Sequence, residues 1–370
     1  MRYQRLVAKF GTNLLTGGTG QLDLDLMTRL VEQVAQLHGQ GHEVIIVSSG
    51  AVAAGRQKLG LTKERKDVPF KQVLASVGQN QLMHAYEQLF SQHNITVAQA
   101  LLTKSDLADR AGYLNARNTL LALIELGVIC IVNENDVVAT DELGGLSFGD
   151  NDNLSAMVAN LVDADLLALL TDIDGLYTAD PQRNSNARFI PKVEKIDAEI
   201  ERLASKAASS HGVGGMTTKI EAAKLTTSSG VTMVIANGRT PDALRRIVAG
   251  ESLGTLFPPR TSKLESKKRW MLSRLASKGK LTIDGGAVLA LKEQNRSLLP
   301  AGVVGVEGEF QRGDVVDIFG TNDDHIACGI PNYDSKDVAT IKGAHSNAIS
   351  SLLGYEYGTE VIHRNNMVLL

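Results

Sequence analysis

The chain has 370 residues, too many for one typical domain and enough for two well-buried cores. It is 43% hydrophobic and 21% charged, an ordinary globular balance, and only 4% aromatic, so stacking platforms for single-stranded nucleic acid are scarce. A net charge of −3 argues against non-specific nucleic-acid binding as the main task.

Residues 6–10 read as a first strand, with Lys9 near its end and Gly11-Thr12-Asn13 directly after it. This opening does not read as a signal peptide. Glycines at 17, 18 and 20 predict a flexible loop before a helix over about 23–39, in which Leu26, Leu30, Val34 and Leu37 recur at helical spacing. Residues 44–47 form the next strand, ending in Ser48-Ser49-Gly50-Ala51 and a helix over 51–59. A strand, a glycine turn and a helix together point backbone N–H groups and a helix dipole at an anion. Every βα unit needs some turn, but Lys9 at the preceding strand end gives this pair more weight.

Helices are predicted over 71–90 and 113–125, with a strand over 97–102 between them. The apolar run 128–132 reads as a buried strand that includes Cys130, and Asn133, Glu134, Asn135 and Asp136 follow it. After a loop, Asp150, Asn151, Asp152 and Asn153 sit where a helix over 153–160 should start. Strand ends and helix starts are where open α/β sheets bind ligands, although Asn and Asp also serve as ordinary turn and capping residues. The solid run 166–170 ends in Thr171-Asp172-Ile173-Asp174-Gly175. Glycines at 212, 214 and 215 then precede Met216-Thr217-Thr218-Lys219 and a helix to about 228, which suits a nucleotide phosphate, although such a stretch taken alone is more often a mobile loop. Neither G-x-x-x-x-G-K-[ST] nor G-x-G-x-x-G occurs. Short hydrophobic strands alternating with helices predict an α/β domain built on a mainly parallel sheet sandwiched by helices, over 1–258.

Residues 259–276 read as a basic linker, with Arg260, Lys263, Lys267, Lys268 and Arg269 ahead of Trp270. From 277 to 355 the pattern is that of a small mainly-β domain with one helical segment near 336–340, and 356–370 is set apart as a tail. Cys130 and Cys328 lie far apart and read as buried small hydrophobes rather than a disulfide. No apolar run approaches the roughly 20 residues of a membrane span, and the expected compartment is the cytoplasm.

K-F-G-T from Lys9, S-S-G-A from Ser48, N-E-N-D from Asn133 and G-D-N-D from Gly149 form an ordered set with L-L-T-D-I-D-G-L-Y from Leu169 and G-G-M-T-T-K from Gly214. In these motifs the chain resembles, over nearly its whole length, the glutamate 5-kinase family: an amino acid kinase domain followed by a PUA domain. The resemblance implies ATP-dependent phosphorylation of the γ-carboxylate of L-glutamate, the first step of proline biosynthesis. It implies that Lys9 and Lys219 contact the transferring phosphoryl group, that Gly11 and Gly50 donate backbone N–H bonds, and that Asp152 holds the two lysines in place. Ser49, Asp136 and Asn151 would bind glutamate, with Asp136 on its α-ammonium. Thr171, Asp172 and the loop of Val213, Gly214, Gly215, Met216, Thr217, Thr218 and Lys219 would hold ATP. Mg²⁺ would ride on the ATP phosphates, with no dedicated protein metal cage. Inhibition by L-proline, a homo-oligomer (dimer or tetramer) and hand-over of product to a glutamyl phosphate reductase are implied as well.

Two departures stand out: Asn13 occupies a place where the family's opening motif has Ser, and the loop 141–148 is longer than in some members. The alternatives are an amino acid kinase acting on another acid or a carbamate, and RNA binding through the PUA domain. The first would not be expected to carry this C-terminal domain. The second finds support only in the basic linker and Trp270.

Overall fold

The computed structural model describes residues 3–61, 67–139, 151–181, 183–207, 215–263 and 277–370. The chain divides into two compact units, Met1–Leu107 with Ala116–Lys263, and Ala108–Asn115 with Leu264–Leu370.

The first unit is built on a seven-stranded sheet. Its strands are β1 (Arg5–Phe10), β2 (Glu43–Ser48), β3 (Val97–Leu102), β4 (Ile129–Glu134), β5 (Leu166–Thr171), β8 (Thr232–Asn237) and β9 (Thr255–Phe257). Two short strands, β6 (Leu176–Tyr177) and β7 (Phe189–Ile190), pair separately as a hairpin. The order is β3-β4-β2-β1-β5-β8-β9, parallel throughout except for β9, which closes the edge antiparallel to β8. The helices are α1 (Thr12–Thr16), α2 (Leu24–Gly39), α3 (Ala51–Lys58), α4 (Val68–Ser91), α5 (Lys104–Ala108), α6 (Arg110–Glu125), α7 (Asn151–Leu161), α8 (Ala198–Ala207), α9 (Met216–Ser228) and α10 (Ala243–Val248). The central strands are buried on both faces, which is why they read as unbroken apolar runs.

Strand periodicity decides where the functional side chains go. Leu6, Ala8 and Phe10 of β1 share one core with Leu26 and Leu30 of α2 and Tyr86 and Phe90 of α4. Alternate residues of a strand point to opposite faces, so Lys9 faces the other side, where α7 packs on β1. The sheet topology reverses at β1, with β2 on one flank and β5 on the other, and such switch points open a crevice at the carboxyl ends of the strands.

The crevice floor rests on a close crossing of α3 and α4. A Cβ on Gly78 would lie 1.8 Å from the Ala51 carbonyl oxygen, and one on Gly55 would lie 1.9 Å from the Leu74 carbonyl oxygen. Neither backbone can yield, so only glycine permits this approach, and it presses α4 against the turn that carries Ser49 and Gly50. The Ser48 hydroxyl, within 2.8 Å of the Tyr86 hydroxyl, ties the same strand end to α4.

The second unit carries a five-stranded sheet in the order β11-β10-β12-β13-β14. The strands are β10 (Gly279–Ile283), β11 (Val303–Gly308), β12 (Val316–Gly320), β13 (His325–Gly329) and β14 (Met367–Leu369). Two expectations are corrected here. The domain holds three helices rather than one: α11 (Gly285–Gln294), α12 (Ser335–Ile341) and α13 (Ile349–Leu353). The first of these has its apolar residues in one run, 287–291, rather than at 3.6-residue spacing, with Leu291 buried and Ala287 and Val288 packed partly on the core; Asp284 starts it by accepting from Ala287 N–H at 2.7 Å. The residues set apart as a tail supply β14, which pairs antiparallel with β13 and belongs to the sheet. Both cysteines are buried, and burial pushes the Cys130 thiol up to about 12. No helix among the described residues is long and apolar enough to cross a membrane.

The helix crossing yields a stability prediction. Gly78→Ala lowers the unfolding free energy by about 3 kcal/mol or more, because the added methyl meets backbone. Gly39→Ala, where nothing lies within 4 Å, leaves it unchanged or raises it slightly. Thermal melts of the two variants check the contrast.

Candidate active site

The carboxyl ends of β1, β2, β4 and β5 lie side by side in the sheet; α1, α3 and α9 each begin directly after a glycine, and α7 begins at Asn151. On the crevice side Lys9, Asp152, Thr218 and Lys219 meet. The Lys9 ammonium bonds Asp152 Oδ1, while Asp152 Oδ2 accepts from Lys219 Nζ at 3.1 Å and from Thr218 Oγ1 at 2.8 Å. All three charged groups are buried, with Asp152 1% exposed and each lysine 6%. Burial by itself would raise the Asp152 carboxyl, but the Lys9 and Lys219 ammoniums and the hydrogen bonds outweigh it and hold it at about 2. Its place in the first turn of α7, at the positive end of the helix dipole, acts in the same direction. The three residues come from β1, α7 and α9, so the cluster also clamps those elements together.

Beside this cluster lies a buried network of amides. Asn151, the first residue of α7, places Nδ2 within 2.9 Å of the Ser48 carbonyl, 3.0 Å of Ser49 Oγ and 2.9 Å of Asn133 Oδ1. Asn133 in turn donates from Nδ2 to Gln79 Oε1 on α4 at 2.7 Å. Ser49 is held against β1 by its own N–H, which donates to the Phe10 carbonyl at 3.1 Å. The helix starts two residues earlier than the apolar pattern indicated, which puts Asn151 and Asp152 on its first turn. Asn133 was marked in the sequence as part of the amide and acidic cluster at the strand end, without a role of its own, whereas Gln79 was not singled out and sits mid-helix with no local signal.

Asp136 lies in the turn beyond β4. Burial, and then the nearby Glu134 carboxylate, push its carboxyl up to about 7. A carboxyl in that condition is poised to gain from an arriving cation.

Around the nucleotide positions implied by the motifs, the Thr171 hydroxyl donates to Asp172 Oδ1 at 3.0 Å, and Asn13 Nδ2 donates to Asp172 Oδ2 at 3.2 Å. Asn13, the departure from the expected Ser, is therefore put to use. Gly215 precedes α9 with no side-chain cap, so the first-turn N–H groups over Met216, Thr217 and Thr218 lack an intrahelical partner. Gly50 sits at φ +101°, a conformation that favours glycine, and starts α3 in the same uncapped way. One expectation changes. The Gly11 N–H donates to the Leu170 carbonyl at 3.1 Å and extends the β1–β5 pairing rather than facing a ligand. A Cβ on Gly11 would stand 3.6 Å from Lys9 Nζ and 4.0 Å from Thr171 Oγ1, so the residue does border both groups. Val213, Gly214 and the long loop 141–148 lie outside the described residues. Among the described residues no three His, Cys, Asp or Glu side chains gather to hold a metal ion. Asp152, engaged by two ammonium groups and a hydroxyl, does not fit a cation ligand.

Residues 4–237 match the amino acid kinase family and residues 279–353 match the PUA domain. A glutamate 5-kinase of Dehalococcoides mccartyi strain 195 is 57% identical, covering 100% of this chain and 99% of its own length. Glutamate 5-kinases of Herpetosiphon aurantiacus, at 52% identity over 99% of this chain and 98% of their counterpart, and of Shewanella oneidensis, at 49% over 100% and 98%, are similar along their whole length as well. The strand-end lysine, the helix-borne carboxylate and the second lysine thus stand in a chain that belongs to the amino acid kinase family, in its glutamate 5-kinase branch, with a PUA domain following the kinase domain.

Proposed function

We propose that the protein transfers the γ-phosphoryl group of ATP to the γ-carboxylate of L-glutamate, forming L-glutamyl 5-phosphate at the entry to proline biosynthesis. The observation that carries this reading is the buried meeting of Lys9 and Lys219 on Asp152, next to a buried amide network. A carboxylate oxygen of glutamate attacks the γ-phosphorus. The bond to the β–γ bridging oxygen breaks, and ADP leaves with the electron pair. The acceptor is already ionised at neutral pH, so no protein base is required. What the transfer needs is alignment and positive charge around the equatorial oxygens, which two ammonium groups aimed by one carboxylate supply. Asp152, held at about 2, stays ionised and serves as the fixed anchor.

Ser49, Asn151 and Asp136 form the glutamate side, and Thr171, Asp172 and the first turn of α9 form the nucleotide side. Mg²⁺, when present, comes bound to the nucleotide phosphates and neutralises their charge. The same reading carries with it inhibition by L-proline, a homo-oligomer and transfer of the labile acyl phosphate to a reductase.

The first test is ATP- and Mg²⁺-dependent hydroxamate formation from L-glutamate and hydroxylamine. Product is expected, and it falls when L-proline is added. ADP release with N-acetylglutamate or aspartate, but none with glutamate, would overturn the assignment.

Lys219→Ala is expected to lower kcat about 100- to 1000-fold while glutamate KM changes little, since the charge is needed most in the transition state. Steady-state kinetics in both substrates read the split, and an equal loss in each term would remove the transition-state role. A pH dependence follows from Asp136. It accepts the α-ammonium only when ionised, so kcat/KM for glutamate falls about tenfold per unit as pH drops below about 7. In Asp136→Asn that limb is flat and glutamate KM is raised throughout.

A further inference from the structure

The amide network around Asn133 and Asn151 can be assigned atom by atom, because it is anchored at both ends on backbone groups. Glu134 N–H donates to Asn133 Oδ1 at 2.9 Å, so that oxygen is the acceptor and Asn133 Nδ2 the donor. Asn133 Nδ2 therefore meets an oxygen of Gln79, which leaves Gln79 Nε2 turned away from Asn133. At the other end, Asn151 Nδ2 donates to the Ser48 carbonyl at 2.9 Å, which fixes Asn151 Oδ1 as the remaining acceptor. Both leftover atoms, Gln79 Nε2 and Asn151 Oδ1, are buried and lack a hydrogen-bond partner among the described residues. A buried polar group without a partner is costly, and a fold that keeps one needs a reason for it.

Here one donor and one acceptor are left over in a single network that also contains Ser49. An α-amino acid brings the complementary set, an acceptor carboxylate and a donor ammonium. The helix crossing supplies the second observation. Gly78, immediately before Gln79, is the residue whose lack of a side chain lets α4 touch the Ala51 carbonyl, beside the Ser49–Gly50 turn. The same helix reaches the segment after Asp136, where Gln72 Nε2 lies 3.3 Å from the Val137 carbonyl. Helix α4 thus lies along both parts of the chain assigned to the amino acid.

We propose that Gln79 is a further substrate-binding residue, whose Nε2–H donates to the α-carboxylate of the acceptor while Asn151 Oδ1 accepts from its α-ammonium together with Asp136. The acceptor is thereby recognised as an α-amino acid at the end remote from the phosphorylated carboxylate. This assignment rests on the glutamate kinase reading and adds to it the group that reads the α-carboxylate.

Two variants separate binding from support of Asn133. Gln79→Glu keeps an oxygen to accept from Asn133 Nδ2 but replaces the donor with an anionic acceptor, whereas Gln79→Leu removes donor and acceptor without adding charge. The probes at pH 8 are L-glutamate as substrate, with glutarate (no α-ammonium) and 4-aminobutyrate (no α-carboxylate) as competing ligands, and thermal melts report folding. Both variants are expected to raise glutamate KM about 10- to 100-fold, with ATP KM within about twofold. The Ki of glutarate rises by a similar factor, while that of 4-aminobutyrate stays put in Gln79→Leu and does not rise in Gln79→Glu. An unchanged glutamate KM in folded Gln79→Glu would overturn the assignment. So would a 4-aminobutyrate Ki that rises as far as that of glutarate, since that would mark a role in shaping the pocket alone. If the wild-type enzyme turns over no glutamate at all, the kinase reading itself fails and takes this inference with it. Glutamate turnover in the wild type with indifferent variants removes only Gln79.

Discussion

Two lysines share one buried carboxylate, and the rest of the first unit depends on that contact. Asp152 would be costly to bury alone, and so would either ammonium; together they offset much of one another's desolvation. Because β1, α7 and α9 each bring one member, the cluster is complete only when strand, first-turn carboxylate and second helix are all docked. Held well below its ordinary range, the Asp152 carboxyl stays ionised at neutral pH, so the pairing of both ammoniums with it persists.

The amide network is the polar counterpart of that cluster. It joins the ends of β2 and β4 to α7 and α4 through groups with fixed donor and acceptor directions, which makes it selective about what else can bind. Its geometry depends on the glycine crossing of α3 and α4, where a single added methyl would push α4 away from the Ser49 turn. Backbone packing between two helices therefore sets the position of the polar groups. Asp136 stands in a turn rather than in a regular element, where burial and the Glu134 carboxylate raise its carboxyl.

The second unit has its own core, in which Leu281, Ile283, Val316, Ile318 and Ile326 of the sheet pack with Val338, Ile341 and Ile349 of its helices. It folds around side chains separate from the Lys9–Asp152–Lys219 cluster, in keeping with the separate family matches of the two regions.

Several features were legible in the sequence itself. Unbroken apolar runs such as that of β5 announce strands covered on both faces, and their alternation with helices announces the parallel sheet. Lys9, Asp152 and Lys219 were marked by motifs at a strand end and at two helix starts, since ligand chemistry concentrates where those elements end. Other features only tertiary structure could decide. Helix α11 hides because its apolar residues fall in one unbroken run, 287–291, which shows no helical period. The final strand looks like a tail because a three-residue edge is recognised only by its neighbour. Gly11 was expected to offer its N–H, but the strand beside it had already taken that group. Gln79 carries no local signal at all, because its place beside Asn133 arises from a helix crossing between residues far apart in the chain. Local pattern determines which elements form and where chemistry can sit; which polar atoms remain unpaired is decided only when those elements pack.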